Sequence, residues 1–111
     1  VGTYDPTPTA RTLTVGSSGL NSYTIQVWDC NGTEHTASYT SSTKVTSTFT
    51  VYGDIATIYF PYAYSSGSGY DVEVTGGTLL QKCIAAASSY RWYLVVIRFT
   101  SSTANVQWGP Y

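Results

Sequence analysis

Residues 90–99 read YRWYLVVIRF, an aromatic and aliphatic run interrupted only by Arg91 and Arg98. Such a run, rich in β-branched and ring side chains, predicts a strand at the centre of a sheet and buried on both faces. Leu94, Val96 and either Val95 or Ile97 are then expected among the least exposed residues. Ten residues of this kind do not suit a solvated loop. They are also too few to span a bilayer, and no apolar run near eighteen residues occurs elsewhere.

Outward from this strand, nearly every segment alternates with a period of two. In SYTIQVWDC (residues 22–30), Tyr23, Ile25 and Val27 share one face and Thr24, Gln26, Trp28 and Cys30 the other. Asn31-Gly32 then signals a two-residue hairpin turn, and the polar return strand TEHTASYT (33–40) belongs at a sheet edge. TKVTSTFTVY (43–52) points Val45, Phe49 and Val51 inward and Lys44, Thr46, Thr48 and Thr50 outward. IATIYFPY (55–62) buries Ile58 and Phe60 until Pro61 ends ladder pairing. SSGSG (65–69) is a loop, YDVEV (70–74) a strand stopped by Gly76-Gly77, and TANVQW (103–108) a last strand. TLLQKCIAAASS (78–89) fits a short helix, a strand or a single turn. Eight or nine short strands with turn residues between them predict an all-β fold, a single Ig-like or jelly-roll β-sandwich. Its boundaries are an extended N-terminal arm at 1–15 and a domain at 16–111.

Composition narrows the function classes. Charged residues are 10% of the chain, hydrophobic residues 42% and aromatic residues 15%, including eleven tyrosines. The apolar content excludes disorder, and a net charge of −1 without a basic patch argues against nucleic acid as a partner. The chain begins at Val1 and contains no methionine, which fits a processed, exported, extracellular product. In that compartment Cys30 and Cys83 are expected to form one disulfide, closing a loop for about 4 kcal/mol.

Chemistry-bearing residues are sparse. His35 is the only histidine and follows the hairpin turn, where an exposed imidazole is the bland expectation. Asp29 and Glu34 flank the same turn and read as solvated ends. Asp71 and Glu73 share a face, and an ion pair with Arg91 or Arg98 or a plain solvated face is expected over a calcium site, since no DxDxDG loop is present. Without a GxSxG elbow or a phosphate-binding loop, the chain reads as a non-enzyme with neither cofactor nor metal. Asn31-Gly32-Thr33 is a glycosylation sequon as well as a turn. Tyr62, Tyr64 and Tyr70 cluster around the serine-glycine loop and suit a subunit contact or a sugar-stacking platform, with ordinary packing beneath the loop as the plain alternative.

The remaining feature is the arm. Pro6 and Pro8 stiffen DPTPTA, while RTLTV (11–15) alternates as a strand. Together with the cysteine pair and the threonine-, serine- and tyrosine-rich composition, this resembles the donor-strand pilins of bacteria and archaea. The chain is shorter than the chaperone-usher members of that group. The resemblance implies a homopolymeric extracellular filament in which Arg11, Leu13 and Val15 pair with another copy. The alternative is a receptor-binding or carbohydrate-binding head, with a cell-surface glycan as partner and the arm as the neck of a trimer.

Overall fold

The computed structural model describes residues 9–17, 23–39, 45–64, 70–87 and 90–110. They form nine strands: β1 (Ala10–Ser17), β2 (Tyr23–Trp28), β3 (Glu34–Tyr39), β4 (Val45–Tyr52), β5 (Ile55–Tyr64), β6 (Tyr70–Thr75), β7 (Gly77–Ala87), β8 (Tyr90–Phe99) and β9 (Thr103–Pro110). Two sheets result, one ordered β4-β1-β9-β6 and the other β3-β2-β5-β8-β7. One end of the sandwich carries Asp54, Gly76 and Ser101; the other carries the β7–β8 connection and the start of β2.

Alternation places one residue in two of each strand between the sheets. Leu13, Val15, Val51, Ala104 and Val106 come from the four-stranded sheet, and Ile25, Val27, Ile58, Phe60, Val95 and Ile97 from the other; all are fully buried. Phe49, Val72 and Val74 pack against this core. The β-sandwich expected from the sequence is present, and β3 is at an edge.

Three local expectations change, and one open alternative is resolved. The β2–β3 connection is not a two-residue turn: Gly32 N–H donates to the Asp29 carbonyl at 2.9 Å, Asp29 N–H to the Thr33 carbonyl at 3.3 Å, and Gly32 has φ 74°. This is a three-residue loop closed by a left-handed glycine. Pro61 interrupts β5 without ending it, because pairing with β8 resumes at Ala63–Arg91 after a register shift. Residues 77–87 are a strand, with a second shift between Leu79 and Gln81. Finally, β8 lies inside its sheet, between β5 and β7, but is not buried on both faces. Val95 and Ile97 are fully buried, but Leu94, on the opposite face, is 38% exposed.

The two outer surfaces differ in chemistry. On the four-stranded sheet, Thr12 stands beside Thr50 and Thr103, and Thr14 beside Thr48 with hydroxyls 3.4 Å apart. On the five-stranded sheet, Tyr59, Trp92, Leu94 and Val96 occupy the outward positions. The first surface is matched to water; the second carries an apolar strip at Tyr59, Trp92, Leu94 and Val96 among polar positions such as Gln26, Glu34, Thr57 and Arg98.

Candidate functional site

The segment expected to act as a donor strand begins β1, and in the single chain it is placed within its own sheet. Leu13 and Val15 reach zero exposure in their own core. β1 pairs antiparallel with β4 and parallel with β9, the one parallel pairing among the described strands. β4 has no other strand partner. Arg11 anchors the start of β1: its guanidinium lies 2.7 Å from Asp54 Oδ1, donates to the Ser101 carbonyl at 3.1 Å, and sits 5.6 Å from the centre of the Phe99 ring. The β4–β5 and β8–β9 turns and the end of β8 therefore meet on one side chain. Thr9 adds its carbonyl, which accepts from Gly53 N–H at 2.9 Å.

Asp29 is the buried polar group that sequence inspection missed. It reads there as a solvated loop end, yet its side chain has no exposure. Oδ1 accepts from the backbone N–H groups of Asn31 (3.0 Å) and Thr33 (3.2 Å), while Oδ2 accepts from Tyr52 N–H (3.2 Å) and faces His35 Nε2 at 3.2 Å. Burial pushes this carboxyl up, but the hydrogen bonds from His35 and the three amides outweigh it and hold the pKa below the usual aspartate value. The signal present in the sequence was an aspartate two residues before Asn31, the spacing of an Asx turn. An Asp–His pair invites comparison with hydrolytic triads, but the carboxylate here ties a hairpin loop to β4. The described contacts bring no serine or cysteine nucleophile to the imidazole. Glu34 accepts from Gln26 Nε2 instead.

The expected Cys30–Cys83 disulfide is absent; both thiols are free and exposed. The reason is register. Cys83 is opposite Leu94, Leu94 opposite Tyr59, and Tyr59 opposite Gln26, four residues short of Cys30. Three inter-strand steps alone place the two cysteines about 14 Å apart, twice what a disulfide spans. Cys30 Sγ instead approaches the Ile55 carbonyl at 3.5 Å.

Other candidates separate as well. Glu73 is exposed on the four-stranded sheet, the solvated-face alternative, while Arg98 lies on the outer surface of the other sheet. The side chains of Asp71, Arg91, Tyr62, Tyr64 and Tyr70 lie outside the described residues. Asn31 is exposed at the loop tip. Among the described residues, no group of three His, Cys, Asp or Glu side chains is arranged to hold a metal ion. No helix is long and apolar enough to cross a membrane.

An open groove of about 280 Å³ lies on the five-stranded sheet, lined by Tyr59, Cys83, Ile84, Ala85, Trp92 and Leu94. Apolar atoms dominate its walls. Comparison with protein-family models, curated proteins and solved structures finds no match.

Proposed function

We propose that the chain is a structural subunit of an extracellular filament, joined to its neighbours by exchange of β1. The observation behind this is the position of β1. A first strand that alone holds β4 to the sheet, and that supplies Leu13 and Val15 to the core, makes contacts that an identical strand from another copy reproduces residue for residue. The charge-poor, threonine-covered outer surface suits a particle outside the cell and is consistent with the donor-strand resemblance.

Exchange has a geometric consequence. A donated strand stays tied to its own domain on its C-terminal side, so the crossing segment is Ser18-Gly19-Leu20-Asn21-Ser22, not the proline-bearing stretch before β1. Extended, it covers about 20 Å. β1 ends and β2 begins at the same end of the sandwich. Domains linked this way cannot stack end over end along the strand direction, which is about 33 Å long. They stand side by side, one domain width per step. One-way exchange then propagates as a fibre, whereas reciprocal exchange closes as a pair.

Negative-stain electron microscopy of the concentrated protein tests this. Filaments with a rise of about 20 Å per subunit are expected. A chain lacking residues 1–17 should not polymerise and should bind a peptide of residues 10–17, ARTLTVGS. Polymerisation of that truncated chain would overturn strand exchange.

A further inference from the structure

We infer that Arg11 sets the register in which β1 is accepted by another copy, admitting one alignment and barring its neighbours; this rests on the strand-exchange reading proposed above. Arg11 shares a face with Leu13 and Val15, so it points between the sheets and not to the outer surface. It stands where that interior opens at the end of the sandwich, its side chain 20% exposed, over Phe99 of the opposite sheet. Its guanidinium is held by Asp54 and by the Ser101 carbonyl, both on turns of the receiving fold. Its Nε is enclosed without a hydrogen-bond partner. An uncharged side chain would avoid that penalty, so stability alone does not account for a cation at this position.

Alternation makes two residues the smallest slip that keeps Leu13 and Val15 facing inward, because a one-residue slip turns Thr12 and Thr14 into the core. A slip of two moves the strand about 7 Å. Outward, it places the Ser17 hydroxyl in the enclosed site of Val15 and draws Arg11 off both of its partners. Inward, it carries Arg11 into the site of Leu13, which has no exposure. A charge there has neither water nor Asp54, and the burial penalty excludes it. The inward slip is the one that needs barring. With an apolar residue at 11 it would fill both enclosed sites, position 11 at the Leu13 site and Leu13 at the Val15 site. Thr14 would then take the place of Gly16, where a Cβ meets only the end of the Gln107 side chain, a group able to swing aside. The charge on Arg11 closes that alignment. One register gives every subunit the same step; mixed registers would give steps differing by about 7 Å.

The test uses full-length chains in a Cys30→Ser, Cys83→Ser background, each with one new cysteine, so that every disulfide joins two copies. Thr14→Cys marks the donated strand, and its native neighbour is Thr48. Thr48→Cys therefore reads the native register. Thr46→Cys reads the inward slip, in which position 14 replaces Gly16 opposite Thr46. Pairs of chains are mixed, unfolded, refolded together and oxidised, and linked dimers are identified by mass. With Arg11 present, Thr14→Cys should join Thr48→Cys over Thr46→Cys by about 10-fold or more. Arg11→Met on the donor chain should bring the two yields close together, whereas Arg11→Lys, which keeps the charge, should retain the preference. Should Arg11→Met fail to fold by circular dichroism, Arg11→Leu takes its place. An unchanged preference in the uncharged variant, or equal yields with Arg11 present, overturns the assignment and leaves strand exchange standing. No cross-copy disulfide to either position rejects strand exchange, and this assignment with it.

Discussion

Asp29 Oδ2 and His35 Nε2 stand 3.2 Å apart across the β2–β3 loop, the carboxylate fully enclosed and the imidazole 21% exposed. The same carboxylate accepts three backbone amides, one of them from Tyr52 on the other sheet. The hairpin loop is therefore fastened across the sandwich by one ionised group.

Its pKa is lowered in the folded chain. A depressed carboxyl contributes stability that is present above its unfolded value, about 3.9, and is lost as pH falls through the lower folded value. The urea midpoint should fall below about pH 4 for this reason. Asp29→Ala should lose this component of the acid dependence and about 3 kcal/mol at neutral pH, since three amides are left unpaired. Equilibrium unfolding at a series of pH values measures both.

Gly32 and Gly76 have nearly the same backbone, φ 74° and 72°, in different surroundings. A Cβ at position 32 meets open space, whereas one at 76 runs into the Thr103 carbonyl oxygen. Gly32→Ala should cost about 1 kcal/mol, the left-handed strain alone. Gly76→Ala should cost clearly more, because backbone at the start of β9 must move. Thermal melts of the two variants separate strain from collision.

The free thiols make a simple contrast with the sequence-based expectation. If Cys30 and Cys83 were bridged, reduction would lower the unfolding midpoint by several degrees. With the two thiols three strands apart, melts of freshly reduced protein with and without reductant should coincide. Both cysteines should alkylate in the native state.

Much of the sandwich was legible because alternation reports which residues share a face. Ile25 and Val27, Val51, and Ile58 with Phe60 all followed from local pattern and are buried. What remained hidden depended on pairing. Nothing local in Cys30 or Cys83 encodes how many strands lie between them. Asp29 looked solvated because one of its amide donors, Tyr52, is twenty-three residues away. Leu94 was expected inside because an apolar outward face and an apolar core face leave the same trace in a sequence. Pro61 marked a real break in the ladder, but its neighbours resume pairing after it.

The placement of β1 between β4 and β9 also dictates an order of assembly in time. During synthesis β1 finds its two partners only after the chain has reached residue 52 and then residue 108. Until β9 emerges, the four-stranded sheet has no platform, and Leu13 and Val15 remain outside any core. A nascent chain with such delayed closure stays open for most of its synthesis. Its non-local pairings place its folding at the slow, millisecond-to-second end of single-domain rates. The same topology that joins β1 to β9 therefore keeps the four-stranded sheet incomplete until β9 has been made.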